Sequence, residues 1–381
     1  MNGEKHCAIC DTPISAKNDS SEHVIPNSIG GRLKVRGFIC SVCNNGMGQT
    51  WDAVLASQLN WFSLALGTLR ERGHAPAQAI STVDGTELRL QADGTMTRSE
   101  PYFRVTERDG IASFKIFART PDEARQMMRG IKKKYPQFDL ERALQNLVNK
   151  PFKVESPEQH RIEFGGPQAG RSIVKTALAY SFYIGILPSM CAAAVDTLRN
   201  PYDDRGFAHF YIVDLLVSRP ASELFHIISI HGNSKTGELR AYIEFYGAMR
   251  FVVKLGNNFD AVGFTSTYSV NAQSGQRANL QVNWQLAEGH LDAAFSGHGI
   301  VLENLDRACK IAIAIASRSR RLRERHHVNR EAVSDVLTQL GLQPGEKPHG
   351  EDRDRFNRLM EERLGPLADF YKDIPSLPDF E

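Results

Sequence analysis

Apolar residues recur at helical spacing in three parts of the chain, and each part predicts a helix. Residues 172–187 are apolar almost all round, which indicates a buried helix, and 189–198 predict its partner. Two further stripes lie on either side of this pair. The first comprises Trp51, Val54, Leu55, Leu59, Phe62, Leu66 and Leu69; the second comprises Val301, Leu305, Ala308, Cys309, Ala312, Ile313 and Ala316. The second stripe ends in a cluster of arginines at 318–325.

Short runs rich in β-branched and aromatic residues predict strands between these helices. Thr120 opens a capping box that predicts a helix to about Tyr135, and a second helix follows near Leu140–Val148. Asp-Gly pairs at 84–85, 93–94 and 109–110 mark turns. The predicted strands include 102–105, 113–117, 207–212, 224–230, 239–245 and 251–255.

Helices and strands in this irregular order predict an α+β protein. The chain has 381 residues, more than the usual single domain of about 100–200 residues. We predict an N-terminal domain at 1–70, a larger mixed α+β domain at 71–300 and a helical C-terminal region at 301–381.

Charge and hydropathy narrow the classes of function. The formal net charge is only +2, so attraction to nucleic acid would come from local patches such as Lys132–Lys134 rather than from the whole surface. The first residues lack the apolar run of a secretory signal, and the longest apolar stretch, 177–187, is too short to span a bilayer. We therefore expect a cytoplasmic protein that does not enter a membrane.

Cysteine spacing carries the strongest chemical signal. Cys7 and Cys10 form one Cys-x-x-Cys pair, and Cys40 and Cys43 form another, in a segment with few core-building residues. Four thiolates suit a tetrahedral Zn²⁺ ion, whose binding would fold such a segment. We therefore predict a structural zinc site. The lone Cys191 and Cys309 stand in apolar helical contexts and are expected to be buried thiols.

The insertion between the two cysteine pairs holds Glu22 and His23 side by side. Two polar residues in a loop need no special role, but a short strand at 21–25 would point them to opposite faces. Asn44 follows the last cysteine of the second pair. A carboxylate, an amide oxygen and water suit Mg²⁺ or Mn²⁺, and a histidine with a near-neutral pKa can deprotonate water.

The order Cys-x-x-Cys, acidic-His-x-x-Pro, Gly-Gly, Cys-x-x-Cys-Asn, over about residues 5–52, resembles the HNH endonucleases. These are ββα-metal nucleases, here of the four-cysteine zinc class, which includes a phage resolvase of four-way DNA junctions. The resemblance implies a zinc-stabilised ββα-metal domain that cleaves DNA. It also implies that His23 is the general base and that Glu22 and Asn44 bind a catalytic Mg²⁺ or Mn²⁺.

Two departures from the family pattern leave alternatives open. The middle Asn of the three-letter signature has no counterpart at 35–38, so another group must brace the hairpin. Asn44 stands where the signature ends in His, and Asn45 and Asp52 remain alternative metal ligands.

Basic residues just before the second cysteine pair invite a nucleic-acid interpretation. Arg32, Lys34 and Arg36 alternate along an extended stretch, so all three can face one phosphate backbone, although a solvated strand edge has the same pattern. Arg171-Ser172-x-x-Lys175 opens the buried helix and loosely resembles the second domain of bacterial stand-alone HNH proteins. The sequence assigns this second motif no role.

Three hypotheses of function follow. The leading one is a metal-dependent DNA endonuclease, acting in bacterial antiviral defence or on mobile DNA. The second is a ligand-gated effector nuclease whose C-terminal domain senses a small molecule such as a nucleotide. The third is a non-catalytic zinc module that binds nucleic acid. A homo-oligomer is expected if both strands are cut, because one such module nicks one strand.

Overall fold

The computed structural model describes residues 5–108, 111–118, 121–145, 156–159, 162–200, 205–343, 345–372 and 374. The described residues form two compact units. Unit 1 joins the chain up to residue 75 with 162–320, and unit 2 joins 76–161 with 321–374. The mixed α+β class is confirmed, whereas the division into domains at residues 70 and 300 stays a prediction.

The N-terminal part of unit 1 has a ββα order. Strand β1 is Glu22–His23 and strand β2 is Lys34–Val35; they pair antiparallel with Glu22 opposite Val35 and His23 opposite Lys34. Helices α1, α2 and α3 follow at Ser41–Gln49, Trp51–Gln58 and Asn60–Leu66. The first apolar stripe is thus divided between two helices, because Leu59 leaves helical geometry with φ −97° and ψ 2°.

Unit 2 begins with small antiparallel sheets. Its strands are β3 (Gln78–Thr82), β4 (Glu87–Leu90), β5 (Met96–Arg98), β6 (Tyr102–Arg108), β7 (Ile111–Phe117) and β8 (Glu158–Gln159). The order β5-β4-β3-β8 forms one sheet and β6-β7 forms a hairpin. Helices α4 (Pro121–Lys134) and α5 (Leu140–Gln145) lie between β7 and β8. The predicted turn at 109–110, Thr120 and the end of the predicted helix at 146–148 lie outside the described residues.

The second part of unit 1 packs helices against a six-stranded antiparallel sheet. The helices are α6 (Gly166–Tyr183) and α7 (Ala192–Arg199), and α6 contacts β10, β11 and β12. The strands are β9 (Phe207–His209), β10 (Phe225–Asn233), β11 (Glu238–Phe245), β12 (Met249–Gly256), β13 (Phe264–Asn271) and β14 (Arg277–Ala278), in the order β14-β13-β10-β11-β12-β9. Strand β13 was not predicted, because its sequence, Phe-Thr-Ser-Thr-Tyr-Ser-Val-Asn, is polar and contains no apolar run.

The C-terminal part of the described chain is helical, as predicted. Helix α8 is His290–Ala293, α9 is Leu302–Gln339 and α10 is Glu351–Lys372. Helix α9 does not end in the arginine cluster but continues beyond it. None of the helices in the described part of the chain combines the length and apolar composition needed to cross a bilayer.

Within unit 1, hydrogen bonds connect the N-terminal segment to the later elements. Arg199 Nε at the end of α7 donates to the Ile9 carbonyl at 2.8 Å. His226 on β10 is fully buried, and its Nε2 lies 2.8 Å from the Ile29 carbonyl. The ring of Phe38 packs on that of Phe182, with centroids 5.5 Å apart. The first 75 residues therefore share the core of unit 1.

The chain between β1 and β2 reverses through Gly30 and Gly31. Gly30 has φ +95°, a conformation that favours glycine. A Cβ atom on Gly31 would lie 1.7 Å from the Ile25 carbonyl oxygen, so no side chain fits there. The Gly-Gly pair thus has a steric reason that is independent of any chemistry at the site.

We expect Gly31→Ala to lower the free energy of unfolding by at least about 2 kcal/mol, because the added methyl group overlaps backbone. Gly46→Ala is the matched control: the Cβ atom would meet nothing within 4 Å on helix α1, and the change should stabilise by about 0.5–1 kcal/mol. Thermal unfolding monitored by circular dichroism compares the two. Equal stability of both variants would contradict the packing described for the turn.

Candidate active site

The four cysteine sulfurs of the two Cys-x-x-Cys pairs lie within 4.8 Å of one another. The Sγ atoms of Cys10 and Cys40 are 3.7 Å apart, and a tetrahedral site with Zn–S distances of about 2.3 Å requires about 3.8 Å. The Ala8 amide donates to the Phe38 carbonyl at 3.0 Å, which joins the loops that carry the two pairs. The donor set and its spacing therefore fit Zn²⁺, and the described residues form no second cluster of three His, Cys, Asp or Glu side chains.

Cysteine binds zinc as the thiolate, and the surroundings of one cysteine favour this ionised form even without metal. Thr12 Oγ1 lies 3.2 Å from Cys10 Sγ, and this hydrogen bond is the main cause that lowers the pKa of Cys10 to about 6. Burial instead raises the pKa of Cys7 and Cys43. Binding of a cation must therefore supply the stabilisation that those two thiolates lack without metal.

His23 contacts a carboxylate that its sequence neighbourhood does not contain. Its Nε2 lies 3.2 Å from Glu71 Oε2, and Lys34 Nζ lies 2.6 Å from the same oxygen. The hydrogen bond from Lys34 is the main cause that lowers the pKa of Glu71, which keeps this carboxylate ionised. Because an ionised carboxylate only accepts hydrogen bonds, Nε2 must carry the proton and Nδ1 keeps a lone pair.

Burial sets the direction of the His23 pKa. It lowers the value below the ordinary one, whereas Glu71 opposes the change and Lys34 adds to it. His23 is therefore neutral at physiological pH and can accept a proton. Its side chain is 22% exposed, so water can approach it.

Glu22, on the opposite face of β1, binds a lysine from helix α6. Lys175 Nζ forms an ion pair with Glu22 Oε1 and a second one with Asp52 Oδ2 at 2.5 Å. Ser172 Oγ donates to Asp52 Oδ1 at 2.5 Å. Lys175 is fully buried and Glu22 is 4% exposed. Three charged groups from β1, α2 and α6 thus meet at one buried point.

Each of these charges shifts the pKa of its oppositely charged partner in the direction opposite to the shift that burial causes. Burial raises the pKa of Glu22, and the charge and hydrogen bond of Lys175 work against that rise. Burial alone would lower the pKa of Lys175, but Asp52 and Glu22 more than offset it, so the pKa is raised. Lys175 is therefore an ammonium ion at physiological pH.

The three residues considered as partners of Glu22 at a metal lie in different surroundings. Asn44 is half-buried on α1, Asn45 is exposed, and Asp52 has both oxygens bound by Lys175 and Ser172. Only Asp52 is joined to Glu22, and Lys175 makes the connection. The role of each as a metal ligand stays a prediction.

A free carboxylate oxygen provides the test of whether a hard cation fits. Glu22 Oε1 binds Lys175, but Oε2 accepts no hydrogen bond from any residue that the structure describes. A carboxylate oxygen without a protein donor is a suitable ligand for Mg²⁺ or Mn²⁺, and the amide oxygen of Asn44 belongs to the same class of donor. The oxygen donors present therefore fit such an ion.

Comparison with known proteins agrees with this geometry. Residues 7–60 match the family model described as HNH endonuclease. No curated protein and no solved structure matches the chain. The resemblance to HNH endonucleases is thereby confirmed for this segment, which we call the HNH segment, and the match supports nuclease activity in general.

The basic residues predicted to contact nucleic acid differ in their exposure and in their contacts with other protein groups. Arg32 Nη2 donates to the Leu69 carbonyl at 3.0 Å, and Lys34 is engaged by Glu71. The side chain of Arg36 is 73% exposed and lies 3.9 Å from Asp19. A role in binding nucleic acid stays a prediction for all three.

Sequence reasoning missed the partners of the HNH segment. The sequence motif that contains Ser172 and Lys175 has no assigned role, although polar residues inside a largely apolar buried helix are themselves a signal of function. Glu71 gives no signal in the sequence, because it follows α3 in a polar stretch with no motif. Its carboxylate joins His23 of β1 to Lys34 of β2.

We expect one zinc per chain by elemental analysis, and Cys43→Ser should lose it, because a tetrahedral site needs all four thiolates. The control is Cys309→Ser, whose half-buried thiol lies outside the cluster. Chelation of zinc from the unaltered protein should lower its melting temperature. Full zinc content in Cys43→Ser, or no change of stability on chelation, would contradict a structural zinc site.

Proposed function

We propose that this protein is an endonuclease that hydrolyses phosphodiester bonds in DNA with the help of bound Mg²⁺ or Mn²⁺. The match of the HNH segment supports nuclease activity in general. The observation that carries the proposal is a pair of contacts made by neighbouring residues of β1. The partly exposed His23 contacts Glu71, and the buried Glu22 contacts Lys175. Consecutive positions of one strand thus supply a base and an anionic ligand, the two kinds of group that metal-assisted hydrolysis uses.

His23 acts as the general base in this proposal. With Nε2–H donating to Glu71, the lone pair of Nδ1 takes a proton from water, and the resulting hydroxide attacks phosphorus. Glu71 stabilises the imidazolium that forms, and Lys34 holds Glu71 in place. The proton leaves the site when the imidazolium returns to its neutral form.

Glu22 and Asn44 would hold the divalent cation. Bound there, the cation would neutralise charge on the phosphate and on the departing 3′ oxygen. Glu22 offers Oε2, and its buried position keeps the carboxylate from moving. Lys34 and Arg36 flank buried Val35 on the exposed side of β2, from which they would contact the phosphate backbone.

The setting of the reaction follows from the resemblance. We expect the protein to act in the bacterial cytoplasm, in defence against foreign DNA. A single HNH segment would nick one strand, so cutting of both strands would involve two copies of the chain. Plasmid assays distinguish nicked from linear products and thereby address this expectation.

The test of the function is cleavage of plasmid, linear duplex, single-stranded DNA and RNA, with and without Mg²⁺ or Mn²⁺. We expect DNA cleavage that needs the cation, and His23→Ala should lower it by about 10²–10⁴-fold, the usual contribution of a general base. Exposed His349 in unit 2 provides the control variant His349→Ala.

The other outcomes separate the alternatives. Binding of DNA without cleavage under all conditions would replace the proposal with a non-catalytic zinc module. Cleavage that requires a nucleotide or a cell extract would indicate a ligand-gated effector. Unchanged cleavage by His23→Ala would mean that another group is the base.

The pH profile tests the pair of Glu71 and His23. Because Glu71 raises the pKa of His23, Glu71→Gln should lower it, and the acid limb of the kcat profile should move to lower pH. Lys34→Met should move that limb to higher pH, because Lys34 lowers the pKa of His23. Shifts in the same direction, or none, would exclude this geometry from the reaction.

A further inference from the structure

We propose that Lys175 is a positioning residue: a built-in cation that occupies the space between Glu22 and Asp52 and so confines the divalent metal to one oxygen of Glu22. The inference rests on the proposed function, because it concerns the same metal. It adds a residue from helix α6, outside the HNH segment, to the residues that govern metal binding.

The arrangement of donors and acceptors carries the first step. Two of the three N–H donors of Lys175 bind Glu22 Oε1 and Asp52 Oδ2. The remaining oxygen of Asp52 accepts from Ser172 at 2.5 Å. Each oxygen of Asp52 therefore already accepts a hydrogen bond, whereas Glu22 keeps Oε2 without a donor among the described residues. The geometry selects one of the two carboxylates and one of its two oxygens.

The charges carry the second step. Two carboxylates and one ammonium leave a net charge of −1 at this buried point. Without Lys175 the charge would be −2, and Glu22 Oε1 and Asp52 Oδ2 would face each other across the space that Nζ occupies. Two buried carboxylate oxygens converging on one point form a strong site for a divalent cation. Such a site would draw the metal away from Oε2.

The position of Lys175 in α6 carries the third step. The residue is fully buried in a helix whose neighbouring positions Ile173 and Val174 are buried and apolar. Arg171, the other buried cation of this helix, donates to main-chain carbonyls, whereas Lys175 binds two carboxylates. A lysine placed there solely to fill space would cost more than an apolar residue of similar volume. Its two ion pairs give it a function that an apolar residue could not have, namely control of the charge beside Glu22.

The experiment measures Mn²⁺ binding to the zinc-loaded full-length protein without DNA, using the electron paramagnetic resonance signal of free Mn²⁺. We expect Lys175→Met to bind Mn²⁺ at least about tenfold more tightly than the unaltered protein, because a buried positive charge beside the ligand is removed. Its DNA cleavage should nevertheless fall, at least about tenfold in kcat with KM changed less, because the metal then lies at Oε1. Lys310→Met, an exposed lysine of α9 paired with Asp306, is the control.

A second pair of variants keeps the proposal testable if Lys175→Met does not fold. Asp52→Asn leaves Glu22 and Lys175 with no net charge and should weaken Mn²⁺ binding by about tenfold. The double variant Lys175→Met with Asp52→Asn restores the charge of −1, and its affinity should return to within about threefold of the unaltered protein. If the double variant binds Mn²⁺ no better than Asp52→Asn alone, Lys175 does not act on the metal.

The variant Glu22→Gln distinguishes a failure of the inference about Lys175 from a failure of the proposed metal ligand. Loss of Mn²⁺ binding in Glu22→Gln, together with unchanged affinity in folded Lys175→Met, would overturn the inference and leave the proposed metal ligand in place. Mn²⁺ binding that Glu22→Gln does not weaken would overturn the proposed ligand itself, and with it the inference.

Discussion

The ammonium group of Lys175, held between Glu22 and Asp52, is the contact on which the arrangement of unit 1 depends. Removing three charges from water is unfavourable unless their geometry is good and their remaining atoms find partners. That condition couples β1, α2 and α6, which supply the three groups. A shift of α6 along its axis would leave two carboxylates without a counter-ion. The positions of the HNH segment and of helix α6 therefore depend on each other.

Strand β1 divides the site into an inner and an outer half because consecutive side chains point to opposite faces. Inside, Glu22 meets a cation that water cannot reach. Outside, His23 meets Glu71 and Lys34 at partly exposed positions, where charges interact more weakly. The two cysteine pairs bracket β1 in sequence. In the proposed reaction, the buried half would hold the metal ligand, and the more solvated half would hold the group that changes its protonation.

Local spacing was enough to predict the cysteine cluster, the buried helix α6 and the helical C-terminal region, whereas the ββα order was implied by the resemblance to HNH endonucleases. Each depends on residues a few positions apart, or on pairs whose chemistry is distinctive. The partners of Glu22 and His23 could not be predicted in this way, because 153 and 48 residues separate them from Lys175 and Glu71. The polar strand β13 and the break at Leu59 were not predicted for another reason, because tertiary packing overrode the local sequence pattern there. Polar residues within α6 were the one unused signal.

Unit 1 is interrupted in the chain by the first part of unit 2, and this order has a consequence for biosynthesis. The ribosome completes the four cysteines before Lys175 exists, so a nascent chain can acquire zinc while Glu22 still lacks its ammonium partner. At about 5–20 residues per second, the interval is on the order of ten seconds. During that time the exposed carboxylates are open to whatever cations the cell supplies. The ion pair that completes the inner half of the site can therefore form only after Lys175 has been synthesised.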